Sequence, residues 1–289
     1  MTDASDAPVV LRTAAGDTAR ISPHGAQLLS WQPAGAPEQI YLSPLSRPGP
    51  GVAVRGGAPI CFPQFSGRGP LPKHGFARTR HWVLVTPPSP SAPVVEARLQ
   101  LDSAMTRTIW DHAFCLVLAA RLGPGWLELH LQAANTGRTP WSFTGAIHTY
   151  LQVGDVRDVR LTGLQGLTYE DMVDGNAWRR EADAALAIAG ETDSVYQGLT
   201  RPLELSAGGR PGLRLSQQGF ADAVVWNPGR AKAASLGDMP ADDWIRMLCV
   251  EAGAIARPVD VSPGKTWSGM QRMELLPPAG AVSRAGPRP

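Results

Sequence analysis

The sequence predicts an all-β protein, a large, curved antiparallel sandwich with few short helices, on three observations. The strongest local pattern is period-two alternation: Leu127, Leu129 and Leu131 alternate with Glu128, His130 and Gln132. The 31 glycines and 27 prolines interrupt the chain so often that little sequence is left for long helices. Between these interruptions short apolar segments recur at the spacing of a sandwich.

In chain order, short strands are expected at 9–12, 20–21, 28–31 and 94–101. Segment 114–122 is almost continuously apolar, and the loop Gly123-Pro124-Gly125 folds it onto 127–131 as an antiparallel hairpin. A strand over 141–151 puts Trp141, Phe143 and Ile147 on one face and Ser142, Thr144, Ala146, His148 and Tyr150 on the other. Strands at 213–215, 224–226, 246–251 and 267–275 complete the set. A short helical turn is expected at 240–244, with Pro240 in its first turn and Asp238 as its cap. No repeat and no linker divides the middle, so one domain is expected over 8–276, with loose termini at 1–7 and 277–289.

Composition narrows the function classes. Hydrophobic residues make up 43% of the 289 and charged residues only 18%, which excludes a charge-driven disordered chain. A chain of this length buries a substantial core without metal or disulfide staples. The net charge of +2 creates no global field for nucleic acid or an anionic membrane, and no apolar run approaches the length of a span. Neither partner is expected. Cys61, Cys115 and Cys249 are odd in number and form no C-x-x-C pair, and Asp3 and Asp6 stand where a secretory leader would be basic. A reduced, cytoplasmic setting is expected. Lysine occurs only at Lys73, Lys232 and Lys265, so arginine is the usual cation, suited to planar anions at some positions.

Several segments could carry chemistry. Arg55-Gly56-Gly57 precedes Pro59-Ile60-Cys61-Phe62-Pro63-Gln64-Phe65, and a glycine pair permits close backbone approach or positive φ. Alone it is equally a bulged strand with Arg55 in solvent. Lys73-His74-Gly75-Phe76-Ala77-Arg78 gathers an ammonium, an imidazole and a guanidinium, which reads either as a solvated basic loop or as a binding loop. His148 shares its strand face with small and polar residues, and a buried histidine of this kind often satisfies only a backbone hydrogen bond. Glu251 falls by alternation on the side of Met247 and Cys249; burial there would raise its pKa and prepare a general base. The plainer reading sets it just past the strand, bonded to an arginine. His24, His81, His112 and His130 read as surface or structural.

Together these blocks, with His148-Thr149-Tyr150, Thr192-Asp193 and Tyr196, Val225-Trp226-Asn227-Pro228 and Cys249-Val250-Glu251, resemble the aldose 1-epimerase superfamily. They are most similar to its glucose-6-phosphate 1-epimerase branch, the hexose-6-phosphate mutarotases, and extend over roughly residues 20 to 275. The resemblance implies a large antiparallel β-supersandwich, with a sugar or sugar phosphate bound in an open cleft on a concave sheet. It implies Glu251 as base, His148 as acid, His74 and Asp193 as sugar contacts, and Arg55 and Arg78 as phosphate anchors, with Lys73 beside them. Gln64, standing where the branch often has an aromatic residue, falls in the substrate-binding set, and Ala252-Gly253 follows Glu251 without the frequent proline. No cofactor and no metal are expected, and a monomer is. The rival expectations are a noncatalytic carbohydrate-binding or sugar-sensing protein on the same scaffold, a zinc hydrolase built on His74, His148 and Glu251, and a glycosidase. The zinc reading lacks an H-E-x-x-H spacing, and a glycosidase needs a second opposed carboxylate.

Overall fold

The computed structural model describes residues 7–276 apart from residues 48, 91, 208 and 209. Its longest hairpin is the alternating one: Phe114–Gly123 and Trp126–Asn135 pair antiparallel, closed by Gly123 opposite Trp126. Leu127, Leu129 and Leu131 are fully buried, as alternation requires. Glu128 departs from the pattern. It is buried because Arg121 and Arg272 both donate to its carboxylate, at 3.0 and 2.7 Å.

The hairpin lies in a nine-stranded sheet whose outer strands are Ala185–Ala187 and Val83–Thr86. The second large sheet has eight strands. Its spine is Met247–Val261, flanked on one side by Asp222–Asn227 and then Thr192–Tyr196. On the other side run Trp141–Ile147 and Tyr150–Gln152. A three-stranded sheet of Val9–Arg12, Thr18–Ser22 and Gln27–Gln32 completes the strand layers. The pairings between these strands are antiparallel, in keeping with the predicted all-β class.

One apolar cluster fills the space between the two large sheets. Leu248, Val250 and Ala252 enter it from the spine, and Leu99, Leu116, Leu118, Leu129, Leu131 and Met273 from the nine-stranded sheet. Each fully buried side chain of this size contributes roughly 1.5–3 kcal/mol. Odd-numbered Met247 and Cys249 point the other way, into a separate cluster with Tyr41, Tyr150 and Met239. The face opposite the core is therefore the face that Glu251 shares.

Several elements differ from expectation. The strand expected to end at Glu251 runs on to Val261, because a register shift between Ala254 and Val259 accommodates Pro258. The segment 141–151 breaks into two strands at His148 and Thr149. Six short strands between Val159 and Ala207 were unexpected, as were Ile60–Cys61 and Val83–Thr86. So was an α-helix at Gly229–Ser235, too short to display a helical period. The helical turn sits slightly later than expected, at Asp243–Arg246, and Asp238 does not cap it: its carboxylate binds Arg55. The proposed loose termini fall almost wholly outside the described residues. Among those described, no helix is long and apolar enough to cross a membrane.

Candidate active site

Sheet register brings the site together. Ile147 opposes Ala252 and Tyr150 opposes Cys249, so His148 stands across from Glu251. On the other side of the spine Glu251 opposes Val224, while Cys249 opposes Trp226, which in turn opposes Asp193. Residues two apart share a face. Asp193, Trp226, Glu251, His148 and Tyr150 thus rise from one surface of the sheet and line a cavity of about 170 Å³ with Arg55, Lys73, His74 and Arg78.

The break in the strand at His148 is what frees it. Its N–H leaves the spine and donates to Pro59 O at 2.9 Å, while the next residue turns into the core. There the Thr149 hydroxyl lies 2.6 Å from Gln271 Oε1, and Gln271 Nε2 donates to Val250 O. The His148 ring stacks on Tyr150 with centroids 4.8 Å apart and meets His74 edge-on at 5.5 Å. His148 Nε2 lies 3.3 Å from Glu251 Oε1.

Both groups are deeply buried, Glu251 at 1% exposure and His148 at 8%. Burial pushes the carboxyl of Glu251 well above the ordinary range, with Asp193 adding repulsion and Arg78 opposing it. Burial likewise pushes His148 well below its ordinary value, helped by His74 and the nearby arginines. Each side chain also keeps one buried atom without a hydrogen bond, Oε2 of Glu251 and Nδ1 of His148. Orphaned polar atoms cost stability and concentrate at functional positions.

The cations are arranged around this pair. Arg55 is steered by Asp238, whose oxygens accept from Nε at 3.1 and 3.2 Å, and by Tyr150, whose hydroxyl accepts from Nη1 at 3.1 Å. Its approach depends on the two glycines after it. Gly57 has φ +70°, and a Cβ there would lie 2.2 Å from Leu28 O. Arg78 donates from Nη2 to Lys73 O at 3.0 Å. Asp193 faces the same cavity with its carboxyl pushed above its ordinary value by burial, partly offset by Lys232 and Lys73.

Gln64 alone of the sequence-predicted set is absent from the cavity lining. Its amide is committed to backbone: Nε2 donates to Ser66 O and Leu71 O, and Oε1 accepts from Leu71 N–H, each at 3.0 Å. Conversely, Tyr150, Trp226 and Lys232 line the cavity without having been predicted to bind there. Lys232 lies on the unexpected helix, while Trp226 stands in the block Val225-Trp226-Asn227-Pro228, which carries the resemblance but assigned it no contact. Among the described residues, the set able to gather round a metal is His148, Cys249 and Glu251, with ligand atoms within 4.8 Å of one another. That differs from the pair of histidines considered from sequence.

The aldose 1-epimerase family profile matches residues 8–274. A Cenchrus ciliaris protein described as "Putative glucose-6-phosphate 1-epimerase" is 35% identical over 280 residues, 93% of this chain and 84% of its own. An Escherichia coli K12 protein of the same description is 35% identical over 78% of this chain and 76% of its own. The crystal structure of a "putative mutarotase (YeaD)" from Salmonella typhimurium superposes with a TM-score of 0.83 at 31% identity, covering 90% of this chain and 87% of that one. With a family profile matched along nearly the whole described chain, a relative 35% identical to it and a fold shared with a mutarotase structure, the protein belongs to the aldose 1-epimerase family of isomerases.

Proposed function

We propose that the protein interconverts the α and β anomers of a 6-phosphorylated hexose, glucose 6-phosphate foremost. The observation that carries this reading is a buried carboxyl–imidazole pair at the floor of a cavity whose lining also holds Arg55, Lys73, Arg78 and Lys232. Anomer exchange needs the C1 hydroxyl to lose a proton while the ring oxygen gains one; the C1–ring oxygen bond breaks, the C1–C2 bond rotates, and the ring recloses from the other face. Two proton-transfer groups at one small cavity suffice.

Burial raises Glu251 and lowers His148, so the pair holds one proton between them. Burial favours that proton on Glu251; once it passes across the 3.3 Å to His148 Nε2, Glu251 is a carboxylate able to take the C1 proton and His148 an acid able to protonate the ring oxygen. Reclosure reverses the roles. His74 hydrogen-bonds the oxygen that gains charge, and Asp193 holds ring hydroxyls. Arg55 and Arg78, with Lys73 beside them, receive the phosphate dianion through charge-assisted hydrogen bonds. The specific phosphate reading is supported by that cationic lining and by the description the two relatives carry.

The test is saturation-transfer NMR of anomer exchange on glucose 6-phosphate, glucose and galactose. Rapid exchange is expected with the wild type, fastest on the phosphate ester, and a loss of at least 100-fold in Glu251→Gln. Equal exchange by the two proteins would overturn the assigned roles; faster exchange on glucose than on its phosphate would overturn the substrate.

A further inference from the structure

Two non-glycine residues with left-handed backbones face each other at the edge of the cavity, Ser66 at φ 49° and His74 at φ 65°. Such conformations are costly for residues that carry a side chain and persist where the surroundings over-determine them. Here the surroundings are reciprocal. His74 N–H donates to Ser66 O at 2.9 Å, and Ser66 N–H donates back to His74 Nδ1 at 3.3 Å. The Gln64 amide ties Ser66 O to Leu71 across the same loop. Gly75 closes the turn at φ +70°, where a Cβ would lie 2.1 Å from Phe62 O.

A backbone N–H only donates, so Nδ1 of His74 must present its lone pair to Ser66. Cys61 Sγ sits 3.2 Å from the same nitrogen and is fully buried, which leaves its thiol as a second donor sharing that lone pair. No place remains for a proton on Nδ1. In a neutral imidazole the proton then belongs to Nε2, on the other edge of the ring. We propose that Cys61, Gln64 and the Ser66 amide are a positioning device that holds His74 as the neutral Nε2–H tautomer, a fixed hydrogen-bond donor to the sugar and not a carrier of protons.

The groups around the ring support that division of labour. Phe65 packs edge-on at 5.2 Å and His148 at 5.5 Å, and Lys73, Arg78 and Arg55 bring positive charge towards it. Burial first, then those three cations, depress the imidazole to about 3. A donor that stays neutral and does not rotate is suited to an oxygen on which negative charge develops. Its use on a sugar rests on the anomer-exchange reading; the tautomer itself does not.

The experiment is 15N NMR of the ring nitrogens in the full-length, histidine-labelled protein, with His74→Gln to assign the signals. Nδ1 unprotonated and Nε2 protonated, unchanged from pH 7.5 to pH 5, is the expected result. A proton on Nδ1, or titration of the ring near 6.5, would overturn the proposal. In kinetics, Cys61→Ala is expected to lower kcat by about tenfold with little change in KM, and Cys61→Ser, which restores a donor, to recover part of it. Wild-type kcat in both variants would refute the part given to Cys61. Should Cys61→Ala not fold, the wild-type spectrum and Cys61→Ser decide. A wild type with the expected tautomer but no anomer exchange sinks the proposed function and leaves this inference standing.

Discussion

His74, His148 and Glu251 are held in the protonation states that their surroundings make cheapest, and this places a cost on the fold at the wrong pH. His74 shifts from an ordinary value of 6.5 to about 3 on folding, chiefly through burial. Between those two values the unfolded chain binds a proton that the folded chain refuses, so stability falls as pH drops through 6.5. At pH 5 the penalty from this one group is about 2 kcal/mol. Thermal unfolding at pH 7.5 and pH 5 should therefore show a larger fall in Tm for the wild type than for His74→Gln, which has no proton to gain. An equal fall in both would mean that His74 titrates normally in the folded protein. Glu251 works with the opposite sign. Its raised pKa makes the ionised form costly, so Glu251→Gln should be at least as stable as the wild type at neutral pH while losing exchange activity. The two shifts together give a pH–rate prediction. The one-proton form of the pair is lost only below the depressed histidine value or above the raised carboxyl value, so kcat/KM for glucose, which carries no titrating phosphate, should stay flat through 6.5. A step centred there would contradict it.

At the scale of elements, the spine strand Met247–Val261 is the part on which the site most depends, and its irregularity has a specific support. At the register shift the freed N–H groups of Ile255 and Ala256 both donate to Asp222 Oδ2 at 2.8 Å. Asp222 is 3% exposed, so removing its carboxylate leaves two backbone donors to find other partners. Asp222→Ala should destabilise the protein by about 3 kcal/mol, measured by urea unfolding. A change below about 0.5 kcal/mol would show that the bulge holds itself. This strand also marks where sequence reading reached and where it stopped. Alternation from Met247 to Glu251 is enough to put the carboxylate on the side of Met247 and Cys249, and that side proves to be the cavity face, opposite the core. The continuation past Glu251 was hidden because Ala252, Gly253 and Ala254 carry little hydrophobic pattern and Pro258 reads as an end. The strands from Val159 to Ala207 were hidden for a different reason: they are three to five residues long, too short for a period to repeat.

Across the whole molecule, the site joins segments far apart in sequence, and only some of those junctions leave a trace in one dimension. Glu251, His148, His74, Asp193, Arg55 and Arg78 stand in recognisable local blocks, and the eight-stranded sheet with the loops at its side brings all six to one cavity. Gln64 stands in such a block too, yet its amide folds back on its own loop, where the backbone of Ser66 and Leu71 takes up both its donor and its acceptor. Asp238 orients Arg55 across a large separation in sequence, a pairing that no local pattern records. The same long-range assembly decides the electrostatics. The chain carries a net charge of only +2, so attraction for an anion cannot come from the protein as a whole. It has to come from the local gathering of Arg55, Lys73, Arg78 and Lys232, partly offset by the ion pairs with Asp238 and Glu191. A local field of that kind is screened over the Debye length, which shrinks from about 30 Å at 0.01 M salt to about 3 Å at 1 M. Raising salt across that range should therefore increase KM for glucose 6-phosphate several-fold and leave KM for glucose nearly unchanged. Replacing Arg78 with methionine, which removes the charge while keeping an apolar stem, should weaken the phosphate ester by about tenfold and reduce its salt dependence, with glucose again little affected. If salt and Arg78→Met act equally on both sugars, the cations serve the fold or the ring hydroxyls, and the phosphate has no site of its own.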